Sequence, residues 1–124
     1  MPSLPRILVV DDEEPLRNTL TEALELEGYA VRSASNGAEA CELVRHFRPS
    51  AIVLDLMMPV MNGWEFLEHC RRDTDCSATP VLVISAHSKL PQEAANLGVK
   101  ACIAKPFDLD VLLGAVDRIV RTAA

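Results

Sequence analysis

The chain has 124 residues, of which 49% are hydrophobic and 24% charged, with a formal net charge of -6 at pH 7. That length suits one domain with its own core, and an acidic balance with scattered Lys and Arg argues against direct nucleic-acid binding. The N-terminus lacks a basic stretch followed by an apolar core, and no apolar run nears the roughly 18 residues that cross a bilayer, so a soluble, cytoplasmic protein without a membrane partner is expected.

In chain order, Ile7-Leu8-Val9-Val10 is a continuous apolar run of the kind found in parallel strands buried on both faces, and it closes on Asp11 and Asp12. Leu16, Leu20, Ala23 and Leu24 then recur at helical spacing up to Gly28, which stops the helix. Ala30 to Ser33 reads as a weaker strand. Asn36 is placed to cap a helix whose Ala40, Leu43, Val44 and Phe47 form an inward stripe, and Pro49 bars its extension. A second run, Ala51-Ile52-Val53-Leu54, closes on Asp55, and a turn from Pro59 to Gly63 leads into a helix marked by Phe66, Leu67 and Cys70. Gly63 is expected to supply the backbone freedom for that turn. Val81-Leu82-Val83-Ile84 closes on Ser85, and Leu90, Ala94 and Leu97 suggest a short helix ending at Gly98. Ala101-Cys102-Ile103-Ala104 closes on Lys105. Leu109, Leu112, Leu113, Val116 and Val120 then give a strong C-terminal helix.

The order is therefore βαβαβαβαβα. Right-handed crossovers put helices on both faces of the sheet, which predicts an α/β fold over residues 1–124: a flavodoxin-like, doubly wound (βα)5 three-layer sandwich whose five parallel strands run in the order 2-1-3-4-5. Its switch point lies beside Asp12 and Asp55. Open parallel sheets bind ligands just beyond the carboxyl ends of their strands, where Asp11, Asp12, Asp55, Ser85 and Lys105 all fall. Three acids, a hydroxyl and an ammonium suit metal-assisted phosphoryl transfer. Singly, each has a plainer reading: Asp12, Glu13 and Glu14 as acids favoured at a helix N-terminus, Asp55 as a turn residue ahead of Pro59, Lys105 as a solvated charge. Five at one sheet edge outweigh those readings.

Cys41, Cys70, Cys76 and Cys102 form no CxxC pair, and His46, His69 and His87 do not fall at zinc-finger spacing from them. All four cysteines are expected to stay reduced, as small buried residues in helices and a strand.

With these motifs placed, the chain resembles the receiver domain of two-component response regulators over essentially its whole length. The resemblance rests on Asp11-Asp12 after the first strand, Asp55-Leu56-Met57-Met58-Pro59-Val60-Met61-Asn62-Gly63 after the third, Ser85-Ala86 after the fourth and Lys105-Pro106-Phe107 after the fifth. It implies that a sensor histidine kinase or a phosphotransfer protein supplies a phosphoryl group to Asp55 as phosphoacceptor. It further implies Mg2+ bound directly by Asp12, Asp55 and the backbone carbonyl of Met57, and by Asp11 through water. Lys105 would pair with the phosphoryl group, the Ser85 hydroxyl would donate to it, and Lys105-Pro106 would be a cis peptide.

Such a domain is a signalling phosphoacceptor rather than an enzyme in the ordinary sense: it promotes its own phosphotransfer and slow autodephosphorylation, and its output is a change in protein–protein contacts through Ser85 and Cys102. Many receivers carry Tyr or Phe three residues before the lysine. Cys102 stands there in this chain, so the aromatic report of phosphorylation would be muted. The oligomeric state stays open, a weak homodimer included, and both a stand-alone receiver and a piece of a longer regulator fit. The alternative reading is a phosphorylation-independent protein-interaction module with the same fold, which could dispense with the acids. A flavin carrier fits poorly, because Asp11-Asp12-Glu13-Glu14 would repel the flavin phosphate. A phosphatase of the haloacid dehalogenase type would need a second Asp where Met57 stands.

Overall fold

A computed structural model describes residues 4–72, 76–86 and 98–122. Its elements follow one another as β1 (Arg6–Val10), α1 (Glu14–Leu26), β2 (Ala30–Ala34), α2 (Gly37–Phe47), β3 (Ala51–Asp55), α3 (Gly63–Arg72), β4 (Val81–Ser85), β5 (Ala101–Ala104) and α4 (Leu109–Thr122). The helix expected across Leu90 to Leu97, and His87, lie outside the described residues. All strand pairs are parallel, in the expected order β2-β1-β3-β4-β5.

Successive side chains of a strand point to opposite faces, and the apolar runs divide accordingly into two cores. Leu8, Val10, Ile52 and Leu54 meet Ala40 and Val44 of α2 and Phe66 and Leu67 of α3 on one face. Ile7, Val9, Val53, Leu82 and Ile84 meet Leu20 and Leu24 of α1 and Leu112, Val116 and Ile119 of α4 on the other. Burying each of these large side chains is worth roughly 1.5–3 kcal/mol, so the continuous runs hold the sheet between two helical layers. In α4 the buried stripe is Leu112, Ala115, Val116 and Ile119, while Leu109, Leu113 and Val120 are only half-buried.

Local chemistry ends the helices. Asn36 Oδ1 accepts from the Glu39 amide at 2.9 Å, the cap its sequence position suggested. After α2, Arg48 adopts the left-handed conformation (φ 51°) immediately before Pro49, and Gly28 does so after α1 (φ 97°). At the start of α3, Asn62 Oδ1 accepts from the Glu65 amide at 2.9 Å while Glu65 Oε1 accepts from the Asn62 amide at 3.1 Å, a reciprocal capping box.

Three expectations are corrected. Cys70, in the last turn of α3, and Cys76 form a disulfide across a Cα–Cα separation of 5.1 Å, within bridging range; a spacing of six residues carries no signature of this, because it depends on where the chain brings Cys76 back. Cys41 and Cys102 remain thiols. The β5 run is apolar throughout yet not buried on both faces: Ala101 and Ile103 are half-buried, whereas Cys102 and Ala104 are exposed. As the last strand of the sheet, β5 packs α4 on one face and leaves Cys102 outward. Finally, Gly63 is required for space rather than for backbone freedom. A Cβ there would stand 2.6 Å from Leu56 Cα and 2.7 Å from the Asp55 carbonyl oxygen.

Candidate functional site

The strand register decides what meets at the carboxyl edge. Val10 lies beside Leu54, Asp55 beside Ile84, and Ser85 beside Ala104, so the residues that end these runs emerge at one level. Asp11 is fixed on all sides: its amide donates to the Ala34 carbonyl at 3.1 Å, its carbonyl accepts from Arg17 Nη1 at 2.8 Å, and its Oδ1 accepts from the Glu13 amide at 2.9 Å. Asp55 Oδ1 accepts from the Met57 amide at 3.1 Å. Ser85 is fully buried at the end of β4, and its carbonyl accepts from the Lys105 amide at 2.9 Å. The Lys105-Pro106 peptide is cis.

Lys105 is the centre of the arrangement. Its ammonium donates to Asp11 Oδ2 at 3.1 Å, Asp55 Oδ2 at 3.1 Å and Glu13 Oε1 at 3.0 Å. Burial alone would lower the Lys105 pKa, but the hydrogen bonds to Glu13 and Asp11 and the charges of Asp55 and Asp11 outweigh it and raise the pKa well above the ordinary lysine value. The two buried acids move the other way in stability terms. Desolvation raises the carboxyl of Asp11 against the opposing effects of the Glu13 amide and Lys105. Desolvation also raises Asp55, and the neighbouring Asp11 charge adds to it, while the Met57 amide and Lys105 hold it back.

Asp12 is exposed and lines an open cleft of about 400 Å3 with Leu56, Met57, Met58, Pro59, Asn62 and Trp64. One carboxylate oxygen from each of Asp11, Asp12, Glu13 and Asp55 lies within 4.8 Å of the others. The loop between β3 and α3 that borders the cleft is held from two sides: the Gly63 amide donates to the Leu56 carbonyl, and the Gly37 amide of α2 donates to the Met61 carbonyl, both at 2.9 Å. Within it Val60 has φ 67° and is 82% exposed, a conformation that a β-branched residue rarely adopts.

Of the residues singled out from sequence, Asp11, Asp55 and Lys105 are in direct contact, Asp12 and Met57 share the adjoining cleft, and Ser85 ends the neighbouring strand. Cys102 stands apart, exposed on β5. Sequence reasoning missed Glu13. It carried only the signal of an acid ahead of a helix, and the contact with Lys105 spans 92 residues.

The model of the response regulator receiver domain matches residues 7–117. The response regulator MprA of Mycobacterium sp. (strain KMS) is 38% identical over 118 residues, covering 94% of this chain and 50% of that protein. The MprA of Mycobacterium leprae (strain TN) is likewise 38% identical over 118 residues, with 94% and 51% covered. The chain thus spans about half the length of the curated relatives it matches. Among solved structures, the Vibrio cholerae chemotaxis protein CheY4 superposes with a TM-score of 0.87 at 30% identity, covering 94% of this chain and 99% of that one. The non-phosphorylated HemR receiver domain from Leptospira biflexa gives a TM-score of 0.84 at 34% identity, with 94% of each chain covered.

Proposed function

The chain belongs to the response regulator receiver domain family, and from that premise we propose that it is the phosphoacceptor of a two-component phosphorelay, taking a phosphoryl group on Asp55 from a sensor histidine kinase or a phosphotransfer protein. The observation that carries this reading is the convergence of Asp55, Asp11 and Lys105 at 3.1 Å, with Asp55 nearly buried. A carboxylate is a competent nucleophile towards phosphorus and gives a mixed anhydride. Lys105 and the Met57 amide favour its charged form and fix its orientation. As the bond from the donor imidazole nitrogen to phosphorus breaks and the bond to Asp55 forms, charge gathers on the phosphoryl oxygens, and in this reading the Lys105 ammonium and the Ser85 hydroxyl would donate to them.

The donor set fits Mg2+. Among the described residues four carboxylates gather around one ammonium, so the cluster is short of positive charge, and the side-chain atoms it offers a cation are the hard oxygens that this ion prefers. In this reading Asp12, Asp55 and the Met57 carbonyl hold the ion directly and Asp11 holds it through water. Bound there, the ion neutralises charge between the acids and the phosphoryl oxygens.

The Met57 side chain, half exposed beside Asp55, cannot orient a water by a strong hydrogen bond, so we read the domain as a slow autodephosphorylator whose chemistry serves signalling rather than turnover. The output would pass through Ser85 to β5 and change contacts with a protein partner. Cys102 would contribute little, since its thiol already faces outward. No helix among the described residues is long and apolar enough to cross a membrane, and action in the cytoplasm goes with this reading.

Intact-mass measurement after incubation with acetyl phosphate and Mg2+ tests the proposal. The parent should gain about 80 Da, the mass of one phosphoryl group on the nucleophile, and should lose that gain when a chelator is present or when Asp55→Asn is used. Asp12→Ala should keep the acceptor but weaken Mg2+ binding. A full adduct on Asp55→Asn would place the nucleophile elsewhere.

A further inference from the structure

An ammonium has three N–H donors and no acceptor, and three carboxylates at 3.0–3.1 Å occupy all three donors of Lys105. For Lys105 to donate to a phosphoryl oxygen, one of them has to leave. Asp11 is a poor candidate: its side chain is fully buried, so losing Lys105 would strand an uncompensated charge away from water. Asp55 is 3% exposed and would itself carry the incoming group. Glu13 is 59% exposed, and a carboxylate released there is rehydrated at little cost.

The backbone around Glu13 points the same way. Glu13 occupies the position before α1 where Ser, Thr, Asp or Asn side chains usually turn back onto the first helix amides. Its own side chain makes no such hydrogen bond and reaches Lys105 instead. The Glu13 amide is pinned to Asp11 Oδ1, so the carboxylate can swing away while the backbone stays in place.

We propose that Glu13 is an internal stand-in for a phosphoryl oxygen, a latch that holds Lys105 against Asp11 and Asp55 until the group on Asp55 displaces it. This rests on the phosphoacceptor reading above. Glu13 is then a positioning residue that acts through Lys105, and breaking its contact should make the site take phosphoryl groups and their mimics more readily.

The test is a beryllofluoride titration in excess Mg2+, followed by the fluorescence of Trp64, which lines the cleft with Asp12 and Met57. Two variants are compared with the parent. Glu13→Gln removes the charge; Glu13→Asp keeps the charge but is one methylene short of Lys105. Both should bind the mimic about 3- to 5-fold tighter, the scale of an exposed ion pair, and both should show a matching fall in KM for acetyl phosphate. A residue with a merely supporting role would only weaken binding when changed. The proposal is overturned if Glu13→Gln binds no tighter than the parent. It is equally overturned if Glu13→Asp behaves as the parent, because the general field of the charge, not the contact, would then be at work. A parent that binds no beryllofluoride sinks the phosphoacceptor reading and the latch together, whereas a binding parent with unchanged variants sinks the latch alone.

Discussion

Gly63 sits so close to Asp55 that a Cβ on it would stand 2.7 Å from the Asp55 carbonyl oxygen. The first turn of α3 is thereby seated against the end of β3, and the loop between them has little room to move. Gly63→Ala forces either the helix or the strand end to shift. Overpacking of this kind costs about 1–3 kcal/mol, and here it should also displace the Asp55 carboxylate from Lys105. Urea denaturation measures the first effect and the rate of phosphoryl uptake the second. Parent-like stability would mean that the contact relaxes freely.

Burial raises the carboxyls of Asp55 and Asp11 above their ordinary value of 3.8. A carboxyl with a raised folded pKa binds more protons folded than unfolded, so it costs stability at neutral pH and the cost fades as pH falls towards that ordinary value. Asp55→Asn should therefore stabilise the metal-free protein at pH 7 by about 1 kcal/mol, a gain usual when a strained functional site is relieved. The difference from the parent should shrink steadily on acidification towards the ordinary carboxylate range. Adding Mg2+ at pH 7 should raise the melting temperature of the parent more than that of the variant. A parent that is the more stable of the two at pH 7 without metal would show that pairing with Lys105 outweighs burial.

Val60 adopts φ 67° while 82% exposed, so its side chain gains little packing in return for its backbone conformation. The left-handed region costs an L-residue about 1–2 kcal/mol, whereas glycine pays about 0.5–1 kcal/mol in lost freedom relative to alanine. Val60→Gly should thus stabilise the fold by about 0.5–1 kcal/mol, read from the shift in denaturation midpoint. Destabilisation by the same amount would indicate that the valine side chain holds the loop.

The Cys70–Cys76 disulfide joins the last turn of α3 to the chain leading into β4. Alkylation of the denatured protein without reductant should label Cys41 and Cys102, and labelling after reduction should reach all four cysteines. Reduction should cost about 2 kcal/mol by loss of loop-closure constraint on the unfolded chain. Four reactive thiols before reduction would show that the bond is not formed under those conditions.

Much of this molecule could be read along the chain. A parallel strand buried on both faces leaves no place for a polar side chain, so each polar residue that closes such a run marks a strand end; Asp11, Asp55 and Ser85 were located in this way, and their common edge followed from the parallel order. The Asn36 cap of α2 and the stop after α1 are equally visible, since each depends on residues within one turn. Periodicity, however, reports only which face of its own element a residue occupies, not what lies opposite. The last strand announced itself as an apolar run like the others, but its place at the sheet edge left Cys102 and Ala104 exposed. Cys70 and Cys76 are bridged because the fold returns one to the other, and Gly63 is needed because Leu56 and Asp55 press against it. Glu13 shows the division most clearly. In one dimension it is an acid ahead of a helix, whether it caps that helix or not, and only the arrival of the Lys105 ammonium at 3.0 Å from the far end of the sheet turns it into part of the site.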